Sequence, residues 1–482
     1  MSTKNIYKKY KKYKINKKYK INKNRSGGKV IASGGFGCVF KPALACKNGT
    51  RKVNGVSKLM TVKHAQDEYD EIILIKNKLN KIPNYAKYFL IDQIDKLCIP
   101  AELSEADKGN FTEKCSALQK DDFTAQNINT SLNKLRVLSM PNGGITVKDY
   151  IYNSKSLNQI QELNKKLIEL LKNGIVPMNE KGIYHSDIKD TNILVDETLQ
   201  PRLIDWGLTT EYPVYTKQSF SWPTQWNNKS VQFNLPFSVI MFSGEFIEQY
   251  NDYIREYGMP NDADSLNMEN LDSFIVDYLY FWMEEGRGIG HIVTVNAIVE
   301  ILYNLDKSTY ATDKIKKGTH EGTKDEYVVV YVKTIEIITI YIRKILIKYT
   351  RDKNAELAVD AYLKEVFIKN IDKWGFISAY LPFLKMASKD NLDKYKNEKV
   401  FNIIKQLFIF LYETSDSAIT ENQIADKLSG INQLIGGKGT KGTKGTKESN
   451  KTNKTNKTNK TNTNKNTRKR LIHKSKHKEH KH

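Results

Sequence analysis

The chain has 482 residues, with 77 Lys and Arg against 54 Asp and Glu and a formal net charge of +23. Residues 1 to 29 hold 12 Lys or Arg and no acid, and residues 436 to 482 hold 16 against two Glu, which leaves about −3 for residues 30 to 435. The length fits one large domain or two to three ordinary ones, and no cleavable signal or membrane span is legible, since the most apolar stretch, Val328 to Tyr349, carries Lys333, Glu336, Arg343 and Lys344.

Residues 1–26 form a basic tail in which Tyr7, Tyr10, Tyr13 and Tyr19 alternate with lysines. The high charge and scarcity of core residues predict disorder. Such a tail suits nucleic acid or an anionic surface, with the tyrosines stacking on exposed bases.

Ile31-Ala32-Ser33-Gly34-Gly35-Phe36-Gly37-Cys38-Val39 predicts a strand, a tight turn and a second strand. Gly34 and Gly37 allow backbone N–H groups to approach a triphosphate, with Phe36 closing the tip. Taken alone, such a string is an ordinary turn. In Val56-Ser-Lys58-Leu-Met60 the alternation of a strand puts Val56, Lys58 and Met60 on one face. The Lys58 ammonium then points toward the phosphates while Val39 and Val56 flank the base; the bland alternative is a solvated lysine.

The next element is a helix over 64–79, with Ile72, Ile75 and Leu79 on one face. Tyr88 to Leu97 is strand-like, residues 101–133 are a polar insertion, and Arg136 to Met140 is a buried strand running into a turn at Gly143-Gly144. Residues 156–174 form a helix through Ile160, Leu163, Leu167, Leu170 and Leu171.

After that helix comes His185-Ser-Asp187-Ile-Lys189-Asp-Thr-Asn192, and thirteen residues beyond Asn192 comes Asp205-Trp206-Gly207. Together these supply what phosphoryl transfer from ATP requires. A carboxylate accepts a hydroxyl proton (Asp187), a cation steadies the moving group (Lys189), and two oxygen ligands hold Mg2+ (Asn192 and Asp205). His185 is a packing group, because the carboxylate two residues on occupies the catalytic place.

Asn234-Leu-Pro236-Phe-Ser238-Val-Ile-Met-Phe242 is read as the start of a central helix, residues 304–325 as a loop, and Val328–Tyr349 as one amphipathic core helix. Residues 436–482 form a second basic tail with Lys-Gly-Thr three times from Lys438 and Lys-Thr-Asn four times from Lys451, repeats that replication slippage alone also explains. Arg468-Lys-Arg470 fits a nuclear-import patch. Cys38, Cys46, Cys98 and Cys115 show no metal spacing and are expected as reduced thiols in a cytosolic setting.

The order glycine loop, Lys58, His185-x-Asp187, Asp205-x-Gly207 resembles the eukaryotic-type protein kinase superfamily, over about residues 27–245 and more weakly to 435. Lys-Gly182-Ile-Tyr-His185-Ser-Asp187 and the Lys/Asn/Ile/Tyr-rich composition resemble the divergent Ser/Thr kinases of large cytoplasmic DNA viruses. The resemblance implies an α+β, two-lobed fold: a β-rich N-lobe over about 27–140, a helical C-lobe over about 141–435, and disordered basic tails. It implies ATP and Mg2+ as cofactors and a protein substrate with a Ser/Thr hydroxyl. It also implies adenine at the strand exit near Met140 and a Glu partner for Lys58 on the following helix. Glu68 is preferred there over Glu71, and either is otherwise a surface acid.

Three departures stand out. Ala32 replaces a loop glycine, Ser186 replaces the arginine that pairs with a phosphorylated loop, and Trp206 replaces Phe, as in the casein-kinase type. No Ala-Pro-Glu string comes after the Asp205 turn. The resemblance places the protein in the cytoplasm of an infected cell or in a virion, with nuclear entry as the alternative. The rival function is a catalytically silent scaffold of the same fold, tethered to nucleic acid by its tails.

Overall fold

The computed structural model describes residues 28–434 except 93, 95, 213–221, 262–263, 286–288, 307–310, 318–325, 352–355 and 388–397. The two basic tails lie outside the described residues. The architecture is mixed α+β, with one four-stranded antiparallel sheet near the N-terminus and helices through most of the remaining chain.

The sheet is formed by β1 (Lys29–Ser33), β2 (Gly37–Lys41), β3 (Gly55–Thr61) and β4 (Leu135–Pro141) in that spatial order. Alternation along β3 divides its side chains between two cores. Leu59 joins Val30, Phe40 and Val137 in a small cluster completed by Leu103, Phe111, Leu118, Phe123 and Ile128, while Met60 and Leu138 join the large core. The expected polar insertion 101–133 therefore has a definite task, covering the outer face of the sheet through α2 (Phe111–Lys114) and α3 (Ser116–Lys120).

On the inner face, α1 (Val62–Leu79) buries Ala65, Ile72, Ile75 and Leu79. Its spacing is that of an amphipathic helix, and Lys76 and Lys78 in its last turn favour the negative end of the helix dipole. The described residues of Tyr88–Leu97 form no strand of the sheet. Leu90 N–H donates to the Leu203 carbonyl at 3.0 Å and Leu203 N–H to the Tyr88 carbonyl at 2.9 Å, so Tyr88–Leu90 bridges instead to the end of β8 (Pro201–Leu203). A short apolar run of this kind has no period by which to tell the two uses apart.

The helical part contains α4 (Val147–Asn153), α5 (Leu157–Leu170), α6 (Gly244–Tyr257), α7 (Ser265–Glu284), α8 (Ile289–Tyr303), α9 (Val332–Tyr349), α10 (Ile368–Ser378), α11 (Leu381–Ala387), α12 (Glu398–Glu413) and α13 (Glu421–Asn432). Short strands β5 (Ile145–Thr146), β7 (Ile193–Val195) and β8 form one small sheet, and β6 (Ile183–Tyr184) pairs with β9 (Thr210–Glu211).

The structure corrects three further expectations. Residues 326–331 are a strand, β11 (Glu326–Tyr331), paired with β10 (Thr312–Lys317) inside the expected loop, because Tyr-Val-Val-Val-Tyr is β-branched and aromatic; the helix begins only at Val332. Phe237–Met241 is a 3-10 turn, and the helix after it begins at Gly244 behind the cap Ser243, whose hydroxyl accepts from Phe246 N–H at 3.0 Å. All four cysteines are paired, Cys38 with Cys115 and Cys46 with Cys98. Thiol pairing depends on three-dimensional proximity, which spacing does not reveal, and the cysteines thus give no argument for a reducing compartment. Among the described residues no helix is long and apolar enough to cross a membrane.

Candidate functional site

The glycine-rich hairpin hangs from the sheet edge, its turn closed by Gly34 N–H donating to the Gly37 carbonyl at 2.8 Å. A Cβ on Gly37 would come within 2.6 Å of the Leu59 carbonyl, so only glycine allows β2 to approach β3 so closely. Register places Val39 opposite Lys58, and Val56 opposite Met140. These four therefore share the inner face of the sheet. Ile31 sits at a bulge between Val30 and Ala32, and Gly35 is exposed. Phe36 is 56 % exposed and stacks on His64 of α1, ring centroids 4.6 Å apart. Ser33 and Cys38 face the other way: Ser33 Oγ accepts from Ala117 N–H at 3.0 Å, and Cys38 is bonded to Cys115.

Lys58 Nζ lies 2.6 Å from Glu68 Oε2, and Glu71 stands one turn on, outside this pair. Burial raises the Glu68 pKa against the pull of Lys58. Burial likewise pushes Glu71 up to about 7, with the charges of Glu68 and Asp205 adding to it. Glu68, Glu71 and Asp205 are thus near enough to repel one another, with Lys58 bonded to Glu68.

The second half of the site is the loop between β6 and β7. Asp187, 7 % exposed, accepts from Lys189 Nζ at 2.9 and 2.8 Å, from Asn192 Nδ2 at 2.8 Å and from Asn234 Nδ2 at 2.9 Å. Its carboxylate is thereby fixed in rotation. Asn192 accepts Ile204 N–H on its backbone carbonyl at 3.0 Å, which ties the loop to Asp205. His185 Nε2 lies 3.0 Å from the Ile204 carbonyl, and its ring rests on Trp206 at 5.0 Å. Held this way, Asp205 takes φ 67°, and its exposed carboxylate has no hydrogen-bond partner among the described residues.

Two residues that sequence reasoning missed complete the geometry. Asn234 is one; no periodicity marks it. Asp372 on α10 is the other: its Oδ2 accepts His185 N–H and its Oδ1 accepts Ser186 N–H, both at 2.9 Å, and Asn179 Nδ2 donates to Oδ2 at 2.7 Å. Ser186 is left-handed (φ 59°), so the loop backbone is bent sharply at the point Asp372 grips. One turn along α10, a Cβ on Gly375 would lie 2.7 Å from the Ile188 carbonyl, so glycine lets this helix pack directly on the loop. The legible signal was an acid on the apolar face of a helix, at the spacing Ile368, Ile371, Asp372, Gly375.

Among the described residues no cluster of three or more His, Cys, Asp or Glu could hold a metal alone. The Asp205 carboxylate and the Asn192 carboxamide are hard oxygen donors, the pair of protein ligands that Mg2+ accepts when phosphate and water complete its shell. A cavity of about 330 Å3 lies elsewhere, between α6 and α7, lined by Tyr253, Phe274 and Asp277 among others. No protein-family model and no curated protein matches this chain.

Proposed function

We propose that the chain is an ATP-dependent protein kinase of the two-lobed type, acting on Ser/Thr hydroxyls. The observation that carries this reading is the Asp187 carboxylate, locked by Lys189, Asn192 and Asn234, with Asp205 joined to the same loop through Ile204. A carboxylate so fixed suits one act, orienting a hydroxyl and taking its proton.

In the proposed reaction the substrate oxygen bonds to the γ-phosphorus, the bond from that phosphorus to the β–γ bridging oxygen breaks, ADP departs with the electron pair, and the hydroxyl proton passes to Asp187. Lys189 offsets charge on the transferred group, and Lys58, held by Glu68, aligns the phosphates. Mg2+ at Asn192 and Asp205 would neutralise charge on the β- and γ-phosphates. Val39, Val56 and Met140 supply an apolar wall for adenine. Ser186 stands where an arginine would meet a phosphorylated loop, and its hydroxyl instead accepts Trp226 Nε1–H at 3.2 Å, which favours an enzyme that needs no such switch.

The deciding experiment is transfer of labelled γ-phosphate from ATP to mixed acceptor proteins by wild type and by Asp187→Asn, with nucleotide binding measured in parallel. The expected result is a loss on the order of 10^2- to 10^4-fold in the variant with binding retained. Equal, background-level transfer by both proteins would leave the silent scaffold as the answer. The basic tails remain the proposed contact with nucleic acid or an anionic surface, and a cytoplasmic or virion setting remains the proposed location.

A further inference from the structure

A second pocket, of about 200 Å3, lies between α1 and the chain at β9, and the proposed reaction does not use it. From α1 it is lined by Glu71, Leu74 and Ile75, which share one helix face with Lys78. From the other side come Thr209 and Glu211, two residues apart across the start of β9, and Gln225, whose neighbour Trp226 is fully buried. Lys78 Nζ pairs with Glu211 Oε2, so α1 is tied to β9 beside the pocket.

The polar groups around this space are short of partners. Thr209 is only 5 % exposed, and its hydroxyl has no hydrogen-bond partner among the described residues. Glu211 Oε1 is buried in the same condition, although its other oxygen takes Lys78. The half-buried Glu71 carboxylate has no partner among the described residues either. Two carboxylates against one ammonium leave a net negative charge, and burial makes each unmade contact costly. Leu74, 53 % exposed, and Ile75 supply an apolar wall next to these acceptors. Oxygen acceptors beside an aliphatic wall suit a ligand with a cationic head on an alkyl stem, the stem lying along the wall and the head donating to the oxygens. A neutral or anionic group would leave the carboxylates without a counter-charge.

We infer that this pocket binds a guanidinium or alkylammonium group carried on an aliphatic stem, the chemistry of an arginine or lysine side chain of a protein partner and of a free polyamine. The binding does not depend on the kinase reading. Its consequence does: Glu71 lies one turn from Glu68 on α1, and Glu68 holds Lys58, so a cation bridging Glu71 and Glu211 would fix the helix that aligns the phosphates.

The test is methyl NMR on the full chain labelled at Ile and Leu, with the Leu74 and Ile75 signals assigned by Leu74→Met and Ile75→Val. At constant ionic strength the protein is titrated with end-blocked Gly-Arg-Gly, with the same peptide carrying neutral citrulline for Arg, and with spermidine. The expected result is a saturable shift of the Leu74 and Ile75 methyls with the arginine peptide or spermidine, about tenfold weaker with citrulline and about tenfold weaker in Glu71→Gln. The tighter of the two cations identifies the source, a protein side chain or a free polyamine. Glu71→Gln should keep the rest of the methyl spectrum, since it removes an unpaired charge. No response of Leu74 and Ile75 to either cation, an equal response to citrulline, or equal affinity in wild type and Glu71→Gln overturns the inference. A chain that binds the cation but transfers no phosphate would fail the kinase reading and keep this one.

Discussion

Asn234 donates its side-chain amide to Asp187 Oδ1 at 2.9 Å, across 47 positions of sequence. The contact gives the carboxylate that would take the proton in the proposed reaction a neutral donor. Asn234→Ala is expected to lower turnover by about tenfold, the worth of one hydrogen bond to a charged group. Asn234→Asp should be worse, because two carboxylates would then face each other and the proton affinity of Asp187 would rise. Rates measured between pH 6 and pH 9 check this: as pH falls, the Asp variant should lose rate at a higher pH than the Ala variant, and equal profiles would count against the geometry.

Lys58→Met and Glu68→Gln should resemble each other, since each breaks the 2.6 Å pair, with turnover falling much more than nucleotide affinity. Asp205→Ala should remove the dependence of nucleotide binding on Mg2+. Steady-state kinetics and equilibrium binding separate the two effects. Turnover in Glu68→Gln near wild type would sink the assignment of Glu68.

Glu71 gives a pH signature. Its pKa is raised from 4.5 to about 7 in the folded protein, so ionising it opposes folding. Stability from this group is fully present below about pH 4.5, is lost as pH rises through about 7, and is flat beyond, with Glu68 shifted in the same direction. Glu71→Gln should therefore raise stability at pH 8 by about 1–2 kcal/mol, a figure already reduced for the partial exposure of the group, and leave it nearly unchanged at pH 4.5. Thermal unfolding at both pH values reads the difference.

The cysteines offer a direct chemical check. With Cys38–Cys115 and Cys46–Cys98 bonded, thiol titration in denaturant without reductant should find no free thiol. Replacing Cys38 and Cys115 together by Ala should lower stability by about 2–4 kcal/mol and loosen the glycine hairpin from the insertion. Four reactive thiols would contradict the pairing.

Deleting 1–26 and 437–482 should leave phosphorylation of a neutral peptide nearly unchanged, while binding to DNA, RNA or anionic vesicles collapses. The full chain should show affinity that falls steeply with salt, and the truncated chain almost none, because each lost Lys or Arg removes a phosphate contact and its released counter-ion. Tight, salt-sensitive binding by the truncated chain would mean a basic groove within residues 30–435.

Legibility in the sequence tracks the reach of local pattern. Lys58 and Glu68 are each fixed to a face, one by the two-residue period of a strand and the other by the helical period of α1, so their meeting needs only adjacent elements. The loop from His185 to Asn192 is compact, and its Lys189 and Asn192 contacts to Asp187 are local. Asn234 gives no local signal and Asp372 only that of an acid on an apolar helix face, which does not name its partner, because their roles arise from packing across 47 and more than 180 residues. The strand at 326–331 was hidden for the opposite reason: an apolar stretch continuing into a helix gives no break in hydrophobicity, and only its β-branched composition marks the change.

Asp372 reaches the His185 backbone from 187 positions further along the chain. A ribosome adding about 5–20 residues per second would therefore expose the His185–Asn192 segment on the order of ten to forty seconds before the carboxylate that bends it exists. During that interval the N–H groups of His185 and Ser186 have only water as partners, and the left-handed turn at Ser186 has nothing to enforce it. Order in the His185–Asn192 loop is then a late event in biosynthesis, set by arrival of α10, although the sheet and α1 are complete once residue 141 has emerged.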